Sequence, residues 1–70
     1  MSNSGKLNNG LGGEISEFIK SKGIKQRHIA IKANLSDGHL SNVLKDRVVI
    51  TPSVLADINS ALEQNFSLRN

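Results

Sequence analysis

Apolar side chains recur at helical spacing in four stretches of this 70-residue chain. In the first, Ile15, Phe18 and Ile19 repeat at i, i+3, i+4, which predicts a helix from Glu14 to Lys22 with Gly23 as its stop. Glu14 and Glu17 stand near its start and Lys20 and Lys22 near its end, in the sense the helix dipole favours. Phe18, one of two phenylalanines, is the expected centre of the core, and Ile24 is expected to plug the gap to the next helix. The second stretch, Gln26 to Ala33, has Ile29, Ala30 and Ala33 on one side, and Ala30 is small enough to let another helix cross closely. The third, Asp37 to Lys45, buries Leu40, Val43 and Leu44. The fourth, about Pro52 to Glu63, buries Leu55, Ile58 and Leu62 with Ala61. No stretch carries a strand pattern. The expected fold class is all-α, a small domain of four helices.

The connections carry their own signals. Asn34 suits the left-handed conformation that ends a helix. Leu35 is expected to turn inward, and the Ser36 hydroxyl to cap the third helix. Thr51 can cap the fourth, with Pro52 in its first turn. Val48, Val49 and Ile50 read as an extended connector. Lys25 stands where the second helix needs a cap, and lysine is a poor one. Residues 1–13 are rich in Ser, Asn and Gly, so they are expected to form a flexible N-terminal tail with Leu11 touching the first helix. The GLGG run at Gly10 to Gly13 lacks the Lys-Ser/Thr of a phosphate loop. The ordered domain is expected over residues 14–63. Residues 64–70 form a C-terminal tail whose Phe66 and Leu68 fold back or meet another chain.

The third helix has a front as well as a back. Gly38, His39, Ser41, Asn42 and Lys45 make a polar, short-chained face that can donate and accept hydrogen bonds, a shape suited to a DNA major groove. The net charge of +3 adds a basic stretch: Lys20, Lys22, Lys25, Arg27 and Lys32 follow one another with no acid between them. That stretch reads either as a phosphate-contacting patch or as a solubilising surface. The absence of cysteine excludes disulfides and fits a reducing compartment. No apolar run approaches the ~18 residues of a membrane span, and no leader-like apolar segment opens the chain. The expectation is a soluble, cytoplasmic protein without membrane association. His28 and His39 have neither a triad partner nor HExxH spacing, so no catalytic residue, metal, cofactor or small-molecule ligand is expected.

With Gln26, Ala30, the turn at Asn34, Leu40 and Ser41 in view, the chain resembles the helix-turn-helix family of phage Cro and λ-type repressors. The resemblance covers about Ile15 to Leu62, and ISEFIKSKGIKQRHIAIKANLS looks like that family's first two helices. The stretch from Ile29 to Leu62 is also similar to the lactose-repressor headpiece, which lacks a preceding helix like Glu14 to Lys22 and continues into a hinge. Both resemblances imply sequence-specific binding of double-stranded operator DNA in a bacterial host cell. The chain departs from the Cro-like pattern at Lys25, where Thr or Ser is usual, and at Asn34, where Gly is. It departs again at Leu44, where Glu is common, and at Ile31, where relatives are often polar.

The resemblance implies roles. Asp37, Gly38, His39, Ser41 and Asn42 become candidate base contacts. Asn42 is foremost, because its amide can pair with adenine N6 and N7. Asp37 reads either as an acceptor for a cytosine amino group or as an acid favouring the helix dipole. His39 and Ser41 read as base contacts, phosphate contacts or solvent-facing residues. Lys25, Gln26, Arg27, Ser36, Lys45 and Arg47 become candidate phosphate contacts. Gln26 is also open to giving its amide N–H to Asp37, and Ser36 to acting as a cap alone. One recognition helix covers few base pairs, so a homodimer on a palindromic site is expected. Val48, Val49, Ile50, Phe66 and Leu68 are its candidate contacts. The rival class is a protein-interaction module that binds another regulator, as an antirepressor does; Asp37, Gly38 and Ile31 speak for it.

Overall fold

Four α-helices make the fold: α1 Leu11–Lys22, α2 Gln26–Lys32, α3 Asp37–Leu44 and α4 Pro52–Leu62. The computed structural model describes residues 7–68, and no strand occurs among them. Helix α1 packs on α3, and α2 packs on both α3 and α4. Leu11, Ile15, Ile29, Leu40, Val43 and Ile58 are the most deeply buried large side chains, so the core lies where α1, the back of α3 and α4 converge. The apolar positions that define α2, α3 and α4 in the sequence are the ones that face inward: Ile29 and Ala30, then Leu40, Val43 and Leu44, then Leu55, Ile58 and Leu62.

All four helices close in the same way. A residue of positive φ follows each one: Gly23 at 69°, Asn34 at 60°, Asp46 at 56° and Glu63 at 57°. Two reversed hydrogen bonds then seal the last turn. At α2, Asn34 N–H donates to Ile31 O (3.2 Å) and Leu35 N–H to Ala30 O (2.8 Å). The same pair recurs at α1 with Gly23 and Ile24, at α3 with Asp46 and Arg47, and at α4 with Glu63 and Gln64. This closure satisfies carbonyls that a helix end leaves unpaired. Glycine and asparagine enter the left-handed region easily. Asp46 and Glu63 enter it less readily, and glutamate has the least local compensation.

The helix starts differ from one another. The Ser36 hydroxyl accepts from His39 N–H at 3.0 Å and the Thr51 hydroxyl from Val54 N–H at 3.2 Å, so both expected caps form. Lys25 gives α2 no side-chain cap. Helix α1 starts at Leu11, not at Glu14, and this corrects the expected tail. Leu11 is 1 % exposed and Gly12 is buried, so residues 7–13 belong to the folded body. Residues 1–6, including Lys6, lie outside the described residues. Asn8, Asn9 and Gly10 form a left-handed turn with φ of 59°, 50° and 83° that leads into α1. Gly10 has no side chain to cap the helix. The Asp46 carboxylate takes that role from across the fold, accepting from Gly12 N–H (2.9 Å) and Gly13 N–H (3.1 Å).

Two further expectations are corrected, Phe18 as the centre of the core and Ile50 as a dimer contact, and Phe66 takes the fold-back of its two expected alternatives. Phe18 is half-buried at the edge of the core, and the core's centre lies at Ile15, Leu40, Val43 and Ile58. Its ring meets Phe66 edge-on at 5.8 Å, and the Lys22 ammonium lies 5.7 Å from its centroid. Ile50, a candidate dimer contact, is a core residue at 2 % exposure. Phe66, another, folds back on its own chain. The Asn59 amide clamps it at both ends: Asn59 Nδ2 donates to Phe66 O (2.9 Å) and Phe66 N–H donates to Asn59 Oδ1 (2.8 Å). A hydrophobic residue outside the helical pattern proved in both cases to cover an edge of the core.

Candidate nucleic-acid interface

The geometry of the α2–α3 corner follows from its closure. Leu35 turns inward against the core, as expected, because its N–H is drawn back to Ala30 O. Helix α3 then runs with Leu40, Val43 and Leu44 pinned to the core, which leaves its opposite side outside. Gly38, His39 and Lys45 on that side are exposed, Ser41 and Asn42 are half-buried, and Asp37, in the first turn of the helix, is exposed as well. The face expected from the sequence is therefore open to solvent at Gly38, His39 and Lys45 and half-covered at Ser41 and Asn42. A Cβ built on Gly38 meets nothing within 4 Å. Among the described residues, no part of the chain needs the glycine in order to approach α3.

The flanking candidates are also on the outside. Lys25, Gln26, Arg27 and His28 are exposed at the start of α2, and Lys45 and Arg47 are exposed at the exit of α3. Ser36 is exposed with its hydroxyl engaged as a cap. Among the described residues no hydrogen bond joins Gln26 to Asp37. The fold thus places basic groups before the first helix of the corner and after the second, with the polar face of α3 between them in the chain.

The remaining candidate contacts separate. Val49 is 65 % exposed and Leu68 41 %, while Val48 is half-buried against the core. With Ile50 and Phe66 internal, the apolar surface open to another molecule is smaller than the sequence suggests. Among the described residues, Ile31 is the most exposed large apolar one at 69 %.

Sequence reasoning missed two residues that shape this region. Asn8 and Asp46 reach each other across the fold: Asn8 Nδ2 donates to Asp46 Oδ1 (3.0 Å) and to Val48 O (3.0 Å), and Ile50 N–H donates to Asn8 Oδ1 (2.9 Å). The one available signal was Leu11, which extends the apolar series of Ile15 and Ile19 back by one turn.

Among the described residues, no group of three or more His, Cys, Asp or Glu side chains could hold a metal ion, and no helix is long and apolar enough to cross a membrane. The fold and the face together define a small all-helical domain that presents a polar helix surface beside a tight turn. Comparison with protein-family models, curated proteins and solved structures finds no match.

Proposed function

We propose that this chain is a sequence-specific DNA-binding transcriptional regulator, a Cro-like repressor in a bacterial or phage setting, acting in the cytoplasm by occluding a promoter. The observation that carries the reading is Gly38. A glycine in the first turn of α3 costs up to about 1 kcal/mol against alanine, and among the described residues nothing within 4 Å of it calls for one. A backbone that must lie close against an outside surface does call for one. Asn42, one turn along the same side, then supplies an amide at a distance where adenine N6 and N7 can be read. Asp37 suits the helix dipole and His39 and Ser41 border the groove. Lys25, Gln26, Arg27, Ser36, Lys45 and Arg47 meet phosphates on either side. Two copies on a palindromic site give useful affinity, with Val49 and Leu68 as the exposed apolar residues available to join them.

A second reading has one observation in its favour. Ile31, at 69 % exposure, is an apolar side chain the fold does not use, as a protein-interaction module of the antirepressor kind would present.

Selection of bound duplexes from a random pool separates the two. The DNA reading expects an enriched sequence, and a pool that stays random at low ionic strength removes it. On the enriched duplex, Asn42→Ala is expected to lose about 1–3 kcal/mol of discrimination at a single base pair. Equal loss at every position would make Asn42 a positioning contact instead. Gly38→Ala is expected to move two measurements in opposite directions. Thermal stability rises, by up to about 1 kcal/mol, because the helix gains a better former. Affinity for the duplex falls at least tenfold, because the new methyl group stands where the groove surface must lie. Parallel changes in both measurements would count against close approach at this point.

A further inference from the structure

Asp46 lies between two of the candidate phosphate contacts, Lys45 and Arg47, and a free carboxylate there would repel a polyanion. Its carboxylate is turned away and given to the N-terminus of α1, where Gly12 N–H and Gly13 N–H donate to it. That helix end carries partial positive charge, which offsets the carboxylate's own. Asn8 completes the attachment, through Asp46 Oδ1, Val48 O and Ile50 N–H. Five hydrogen bonds thus tie residues 8–13 to residues 46–50, the connector that leaves α3.

We propose that Asn8 and Asp46 are positioning residues for the DNA interface: they fix the exit of α3, aim Lys45 and Arg47 at phosphate, and keep the Asp46 charge from opposing it. The inference rests on the DNA reading above. Its physical basis is that the N–H groups of Lys45, Asp46 and Arg47 bond only to the last turns of α3 itself, so it is the clamp that ties this exit to α1 and to the rest of the fold. Lysine and arginine side chains are long and flexible, so the place of their Cα atoms sets which phosphates they reach. Without the clamp, Lys45 and Arg47 keep their charge and lose their place.

A simple electrostatic outcome opposes the proposal, which makes it testable by sign. Removing one negative charge between two cations should strengthen DNA binding if charge alone matters. The clamp expects the reverse. The experiment uses the full chain and a duplex selected from a random pool, and measures affinity and its salt dependence for Asp46→Asn and Asn8→Ala. Both variants are made in the Glu63→Gly background. Glu63 is exposed at φ 57° and glycine relieves that strain, which should raise the melting temperature by about 4 °C and offset part of the clamp's loss.

The expected result is affinity at least fivefold below the Glu63→Gly parent at a temperature where every variant is folded, with a salt slope shallower by about one phosphate contact. If Asp46→Asn does not fold, Asn8→Ala decides, because it leaves the Gly12 and Gly13 hydrogen bonds in place. Tighter binding by Asp46→Asn, or binding by Asn8→Ala equal to that of the folded parent, overturns the proposal while leaving the DNA reading intact. A parent that retains no duplex at low salt overturns both.

Discussion

Gly12→Ala is expected to remove most of the stability of this domain, with a melting temperature lowered by more than 15 °C or no cooperative transition at all. At this position the backbone of α1 lies close against the end of α3. A Cβ there would collide with the Val43 carbonyl oxygen and lie 2.5 Å from Asp46 Oδ1. The Val43 carbonyl belongs to the helix backbone and cannot swing aside, so α1 and α3 must separate. Overpacking of this kind costs about 1–3 kcal/mol. Separation also breaks the hydrogen bonds from Gly12 and Gly13 to the Asp46 carboxylate, and charge-assisted bonds contribute about 1.5–3 kcal/mol each. A chain of this length has a total stability of only about 4–10 kcal/mol.

The neighbouring glycine is the control. A Cβ on Gly13 would sit 3.8 Å from Asp46 Oδ2, an ordinary contact. Gly13→Ala is therefore expected to hold or slightly raise stability, since alanine is the better helix former. Calorimetry or circular dichroism on the two variants reads the contrast directly. Equal effects at both positions would mean that helix propensity, and not the crossing of α1 over α3, governs this end of the domain.

The same pair of glycines explains what the sequence hid. Helix-poor residues at Gly10, Gly12 and Gly13 look like a tail when only local propensity is weighed. What makes Gly12 and Gly13 helical, with Gly10 as the turn before them, is tertiary: Leu11 buried at 1 % exposure, and a carboxylate supplied by Asp46 from the other side of the fold. Neither Asp46 nor Asn8 lies in an apolar pattern, and the separation between them in the chain leaves no local mark. By contrast α2, α3 and α4 were legible because their reasons are local. The spacing of Leu40, Val43 and Leu44, the hydroxyls of Ser36 and Thr51 and the left-handed tolerance of Asn34 each act within one or two turns.

The exposed face of α3 was legible to the same degree and for the same reason. Once the back of α3 is fixed by its apolar residues, its front follows from helical geometry, and Gly38, His39 and Lys45 are indeed exposed. The apolar residues outside the helices were not, because hydrophobicity alone does not say which surface covers them. Ile50 entered the core, Phe66 met Phe18, and Val49 stayed outside.

The steepest functional effect is expected from salt. Of the candidate phosphate contacts, Lys25, Arg27, Lys45 and Arg47 are charged and exposed. If three or four of them each displace a condensed counterion, log K falls against log salt with a slope of about −2.7 to −3.6 per subunit. Between 50 and 200 mM salt that is a loss of roughly 40- to 150-fold for one subunit, and the slope doubles if two copies bind a palindrome. A titration on the selected duplex therefore measures stoichiometry as well as chemistry. Lys45→Gln and Arg47→Gln should each flatten the slope by about 0.9. Asn42→Ala should weaken binding and leave the slope alone, because a base contact releases no counterion. An interaction built on Ile31 and a protein partner would show little dependence on salt, since burying an apolar side chain displaces water and not ions. A binding constant indifferent to salt would thus remove the phosphate contacts, and with them the reason for reading basic groups on both sides of α3 as one surface.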